Sequence, residues 1–129
     1  MRQLVLAIHT EGNADDRFLP VVVQRTAEKV LAQSGTYPTD VLDPWVIDLS
    51  LPGASQAEKV LKAARYARGY HALIIHADAD ARTPHRAFAE RFQPGKALVE
   101  TRMADGDSLC ERLIPLIPVR MTESWLLAD

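Results

Sequence analysis

Two short apolar runs constrain the fold of this chain more than any other feature of its sequence. Residues 4–9 and 72–76 are almost continuously apolar, and each run ends in a histidine. A strand with one solvated face alternates apolar and polar residues, whereas a strand that is covered on both faces is apolar throughout. The two runs therefore predict buried strands of a parallel sheet.

Two weaker strands complete the predicted sheet. Residues 45–49 alternate in part and predict a strand nearer an edge, and residues 116–121 predict a fourth strand. Pro118 interrupts the fourth run. An outer strand tolerates a proline because one of its sides forms no ladder hydrogen bonds.

Helical patterns separate these strands. Apolar residues recur at helical spacing from residue 18 to Ser34, with Pro20 in the first turn. Ser55 and Glu58 have the spacing of a capping box, which predicts the start of a second helix, and Gly69 predicts its end.

A third helix is predicted after the second apolar run. Thr83 is its expected N-cap and Pro84 its first residue, and the Gln-Pro-Gly sequence at 93–95 is expected to end it near residue 92. Residues 96–113 are ambiguous: residues 96–103 fit either a helix or a strand, and residues 104–107 predict a turn.

The order of these elements predicts a single α/β domain. A chain of 129 residues is long enough for one core. Alternating strands and helices predict an open, mostly parallel sheet of about four strands with helices on both faces. The last predicted element is a helix of about two turns from residue 123. Because so short a helix is marginal alone, we expect the native chain to continue past residue 129.

Composition and charge narrow the class of protein. Hydrophobic residues make up 47% and charged residues 25%, as in ordinary globular domains. The net charge of -2 means that any binding of nucleic acid must come from a local patch. No apolar stretch approaches the ~20 residues of a membrane helix. The single Cys110 fits a reducing compartment, so we expect a soluble, cytoplasmic protein.

Acidic residues follow both apolar runs. Glu11 comes shortly after the first run, and Asp78 and Asp80 follow the second. Because parallel strands end at the same edge of a sheet, these three carboxylates are expected to converge. Crowded carboxylates require raised pKa values or a bound cation, and oxygen ligands suit Mg²⁺ or Mn²⁺. Asp15, four residues after Glu11, is either a further ligand or a helix cap.

Three segments together resemble a known family. Glu-Gly-Asn-Ala-Asp-Asp-Arg-Phe-Leu at 11–19, His-Ala-Asp-Ala-Asp at 76–80 and the last thirteen residues, 117–129, look like the Toprim-like proteins of the uncharacterised DUF4276 family. The resemblance spans almost the whole chain. It implies a Toprim-like fold related to the Toprim domains of OLD-type nucleases.

The resemblance also implies a set of metal ligands. Glu11 corresponds to the glutamate that follows the first Toprim strand, and Asp78 and Asp80 correspond to the Asp-x-Asp pair after the third. These acids bind Mg²⁺ for phosphodiester chemistry in Toprim domains. Asp15 corresponds to the second acid of the first motif in OLD-type nucleases. Glu123 opens the Glu-x-Trp-x-x-x-Asp element of the smaller family and is a further candidate ligand.

Histidines and arginines near these acids allow two interpretations each. His9 and His76 are candidate proton carriers or supports for the acids, but buried histidines with a purely structural role are more common. Arg82, Arg86 and Arg91 could contact phosphates, although a solvated helix face is the simpler interpretation.

The leading functional hypothesis is a Mg²⁺- or Mn²⁺-dependent nuclease, or a related phosphoryl-transfer enzyme acting on nucleic acid, with Glu11, Asp78 and Asp80 as catalytic residues. The alternative is a non-catalytic Toprim-like module that binds nucleic acid or a protein partner within a larger, defence-related assembly; the acidic balance favours it. A phosphatase of the haloacid dehalogenase type is disfavoured, because Arg82 stands where that family has Thr or Val.

Overall fold

The computed structural model describes residues 2–10, 18–34, 38–49, 51–79 and 83–118. Within these ranges lie six strands, which form two parallel sheets. They are β1 (Arg2–Leu4), β2 (Leu6–His9), β3 (Thr39–Val41), β4 (Trp45–Val46), β5 (Ala72–His76) and β6 (Leu113–Leu116). The main sheet has the order β4-β2-β5-β6, and β1 pairs with β3 beside it. The predicted parallel α/β sheet is therefore confirmed.

The two apolar runs occupy the centre of the main sheet. Every residue of β2 and β5 is buried, and the strands pair in parallel from Leu6 opposite Ala72 to His9 opposite Ile75. This pairing explains why both runs lack polar alternation, because helices or other strands cover them on all sides.

The first predicted strand is divided into β1 and β2, and the segment that pairs with it is divided into β3 and β4. The sequence indicated neither division. Leu4 pairs with Val41 and Ala7 pairs with Trp45, so the second chain segment contains one more residue than the first between these pairs. An extra residue of this kind is a β-bulge, which bends the strand that carries it. The predicted strand at 45–49 is thus shorter, and β3 precedes it as an additional element.

Two helices follow the predicted pattern closely. Helix α1 is Leu19–Ser34 and helix α2 is Gln56–Tyr66. The hydroxyl of Ser55 accepts a hydrogen bond of 3.2 Å from the Glu58 N–H, which satisfies one of the unpaired N–H groups at the start of α2. The predicted cap of the second helix is confirmed.

The third predicted helix is longer than expected. Helix α3 (His85–Ala87) continues through a π-helical segment (Phe88–Phe92) into α4 (Gln93–Ala104). The prediction that residues 93–95 end the helix is wrong, and Thr83 is not its N-cap. Pro94 lies at the start of α4, directly after the wide π turn in which the Gln93 N–H donates to the Phe88 carbonyl. A proline is tolerated at such a start because it interrupts no interior turn.

The end of the described chain also differs from expectation. Strand β6 begins at Leu113, three residues earlier than predicted, and includes Pro115. Among the described residues it pairs with β5 alone, so it is the outer strand of this sheet and tolerates its proline. The predicted turn at 104–107 is confirmed by Gly106, whose φ of +101° suits glycine. The helix predicted from residue 123 lies outside the described residues.

The core has two parts, one on each face of the main sheet. On one face, α2 and α4 cover Ala7, Leu73 and Ile75. On the other face, α1 covers Leu6, Ile8 and Ile74, with help from Val41. The sheet thus has helices on both faces, as predicted. No helix in the described ranges is long and apolar enough to cross a membrane.

Candidate functional site

The strand order defines a candidate ligand-binding position at the carboxyl ends of the strands. Strand β2 has β4 on one side and β5 on the other, so the chain reverses its direction of travel across the sheet after β4. In open parallel sheets, ligands bind outside the carboxyl ends of the strands at such a reversal. Here that position lies between the ends of β2 and β5, marked by His9 and His76. We call it the switch point.

Asp78 lies at the switch point on a fixed backbone. The Ala77 N–H donates to the Leu116 carbonyl at 3.1 Å, and the Ala79 N–H donates to the Pro118 carbonyl at 3.3 Å. These bonds extend the pairing of β5 and β6 beyond both strands. Ala77 and Ala79 are buried, whereas Asp78 between them is 28% exposed, as expected for alternation along an extended segment.

His76 lies directly beside this carboxylate. Its Nε2 is 3.4 Å from the Asp78 Oδ1, and its side chain is only 1% exposed. The contact thus joins a fully buried imidazole to a carboxylate that is partly exposed. The structure therefore gives His76 a supporting position next to Asp78.

His9 occupies the matching position on the opposite face of the sheet. It pairs with Ile75, so it lies on the same face as α2, whereas His76 is one residue further along and lies on the α1 face. The His9 side chain is 5% exposed, and its Nε2 is buried without a hydrogen-bond partner. Burial lowers the pKa of His9 from 6.5 to about 4, with smaller contributions from Lys59 and His76.

Helix α2 begins at the same edge and adds two further polar side chains. The Gln56 Nε2 is also buried without a hydrogen-bond partner. Lys59 lies one turn further along α2 and is close enough to His9 to influence its pKa. The sequence analysis did not identify either residue. The capping box at the start of α2 could have indicated them, because it marks the helix N-terminus, which lies at the same edge as the carboxyl ends of the strands.

An arginine-lined cavity lies beside Ala79, the residue that follows Asp78. It has a volume of about 170 Å³ and is lined by Ala79, Arg86, Ala87, Glu90 and Arg91. The Arg86 Nε lies 3.2 Å from the Glu90 Oε1, and both side chains are well exposed. An exposed ion pair within one helix is typical of a solvated face, so the structure agrees with the simpler interpretation of Arg86. Arg82 lies outside the described residues.

The predicted carboxylate cluster is only partly within the described chain. Asp78 is placed at the switch point, whereas Glu11, Asp15, Asp80 and Glu123 lie outside the described residues. Within the described ranges, no group of three or more histidine, cysteine, aspartate or glutamate residues is arranged to hold a metal ion. Convergence of the carboxylates stays a prediction, although β2 and β5 do end side by side at one edge.

Comparison of the chain with models of protein families, with curated proteins and with solved structures gave no significant match.

Proposed function

We propose that this chain is a Mg²⁺- or Mn²⁺-dependent nuclease, or a related phosphoryl-transfer enzyme that acts on nucleic acid. The observation that carries the proposal is the position of Asp78 at the switch point, where its carboxylate is partly exposed and contacts a buried histidine. Strands β2 and β5 pair in parallel, so their carboxyl ends lie at this same edge.

The proposed roles follow from the chemistry of the side chains. Asp78, Glu11 and Asp80 would bind the cation, with Asp15 and Glu123 as further ligands; hard carboxylate oxygens fit Mg²⁺ or Mn²⁺. The cation would stabilise charge on the attacking and leaving oxygens of a phosphodiester. His76 positions the Asp78 carboxylate.

Cation binding is tested by thermal unfolding. Mn²⁺ should raise the melting temperature, since a ligand that binds only the folded state stabilises it. Replacing Asp78→Asn together with Asp80→Asn should abolish this shift, whereas Asp105→Asn, in the exposed turn after α4, should leave it intact. An equal shift in the double variant would place the cation elsewhere.

Activity is tested by cleavage of DNA and RNA panels in the presence of Mn²⁺. Glu11→Gln keeps the shape of the side chain and removes its charge, so cleavage should fall at least a hundredfold, about 3 kcal/mol of transition-state stabilisation, with little change in melting temperature. Cleavage that persists in Glu11→Gln would indicate another site or a contaminant. Absence of cleavage by the wild-type protein would favour the non-catalytic Toprim-like module.

A further inference from the structure

We propose that the α2 side of the switch point is a phosphate-binding subsite formed by His9, Gln56 and Lys59. The assignment of that phosphate to a nucleic-acid substrate rests on the proposed function. The binding of a phosphate group does not, because it depends only on the side chains on the α2 face.

The proposal starts from two buried side-chain nitrogen atoms that have no hydrogen-bond partner. In folded proteins, buried polar atoms almost always form hydrogen bonds, and each exception requires an explanation. Within the described chain, His9 Nε2 and Gln56 Nε2 are the buried side-chain nitrogen or oxygen atoms without a partner. A ligand that accepts hydrogen bonds from both would satisfy them.

The fold places His9 and Gln56 at the same edge of the sheet and on the same face. Val60 and Ala63 are fully buried against the sheet, and Gln56 and Lys59 precede them by one turn each. Residues four apart share a helix face, so Gln56 and Lys59 lie toward the sheet at the amino-terminal end of α2. His9 lies on the same side of the sheet at the carboxyl end of β2. All three residues therefore lie at the same edge and on the same face of the sheet, and Lys59 is close enough to His9 to lower its pKa.

The charge of this region favours an anion. Lys59 is half-buried, and within the described ranges it forms no ion pair. The first N–H groups of α2 point out of the same end of the helix and add positive potential. Glu58, the acidic residue of this turn, is exposed, and its N–H is already bonded to Ser55.

The donor set suits a phosphate better than a metal ion. An amide NH₂, an ammonium group and the Nε2–H tautomer of a neutral imidazole are all donors, whereas Mg²⁺ and Mn²⁺ require oxygen ligands. A phosphate group offers acceptor oxygens in several directions, so each donor can bond a different one. Asp78, near the opposite face, would hold the cation while this subsite holds a neighbouring phosphate.

The test uses inorganic phosphate and a nucleoside 5′-monophosphate as probes, without divalent cations and with EDTA present. Nitrogen-15 NMR of the histidine rings should show a saturable shift at His9 Nε2 with both probes. Lys59→Gln should weaken the affinity at least tenfold, and Gln56→Glu should abolish binding by placing a negative charge in the subsite. Lys62→Gln is the matched control, because it removes the same charge from the same helix at a lysine whose Nζ lies 5.7 Å from the centre of the Tyr66 ring. The affinity of this variant for both probes should equal that of the wild-type protein.

Three results would overturn the subsite: no saturable shift, unchanged affinity in Lys59→Gln, or an equal loss in Lys62→Gln, which would indicate diffuse electrostatic attraction. Amide spectra of each variant establish that it remains folded. Phosphate binding by a protein that cleaves no nucleic acid would support the subsite and refute the nuclease. Cleavage of nucleic acid in the presence of Mn²⁺ by a protein that binds no phosphate in EDTA would support the nuclease and refute the subsite.

Discussion

The two faces of the main sheet differ in how they are covered and in what their polar ends contain. The face toward α2 and α4 has the larger buried cluster, which includes Val60, Leu73 and Ile75. The face toward α1 has a smaller cluster of described residues, and α1 leaves Val21 and Val30 exposed. In the part of the chain that the structure describes, two helices cover the first face and one covers the second, so the α2 face should contribute more of the folding free energy.

The same asymmetry extends to the switch point. His76, near the α1 face, contacts a carboxylate. His9, on the α2 face, has a buried nitrogen without a partner and a Lys59 nearby. One face thus presents an oxygen ligand and the other presents nitrogen donors, which is why we place a cation on one side and a phosphate on the other.

Neighbouring isoleucines of β5 provide the strongest test of unequal faces. Ile75 is 0% exposed on the α2 face, and Ile74 is 7% exposed on the α1 face. We expect Ile75→Ala to lower the free energy of unfolding by about 4 kcal/mol and Ile74→Ala by about 2.5 kcal/mol, because the tighter cluster collapses less around the cavity. Urea denaturation measures both values. Equal losses would contradict the proposed difference between the faces.

The contact between α2 and α4 provides the second test. A Cβ at Gly95 would lie 2.6 Å from the Val60 Cβ, so only glycine lets the two helices approach this closely. We expect Gly95→Ala to cost about 2 to 3 kcal/mol despite the better helix propensity of alanine. In a Val60→Ala background the same substitution should cost much less.

A double-mutant cycle by urea denaturation measures this coupling between Gly95 and Val60. Lys96→Ala, at an exposed position of the same turn, is the control and should change stability little. Additive losses from Gly95→Ala and Val60→Ala would mean that this close contact does not hold α4 on the sheet.

The fold was largely predictable because its main signals are local. The apolar runs at β2 and β5 and the capping box of α2 require no knowledge of distant residues. The predictions of secondary structure are wrong where contacts between distant residues determine the conformation. Pro94 and Gly95 have the composition of a helix end, but a π turn accommodates the proline and Val60 occupies the space beside the glycine.

The candidate site was predictable only in part. Asp78 could be anticipated because an acid directly follows a buried strand, and parallel strands share an edge. Gln56 and Lys59 could not, because their significance depends on the helix face that packs on the sheet and on burial of a single side-chain nitrogen. A sequence pattern indicates which residue types are present, but not which hydrogen bonds are left unmade.

The smallest expected effect concerns pH and again separates the two faces. Burial lowers the pKa of His9 to about 4 from 6.5, so folding favours the neutral ring. Its contribution is complete above pH 6.5 and is lost as the pH falls toward 4, because the unfolded chain then binds a proton that the folded chain excludes. Between pH 7 and pH 5 we expect His9 to lower the free energy of unfolding by about 2 kcal/mol.

Urea denaturation at both pH values in EDTA should show this loss in the wild-type protein and a loss smaller by that amount in His9→Asn. His85→Asn, at an exposed position, should retain the wild-type dependence. If His9→Asn also retains the wild-type pH dependence, the loss of stability in acid does not arise from His9. The two faces would then not differ in the way that their histidines respond to pH.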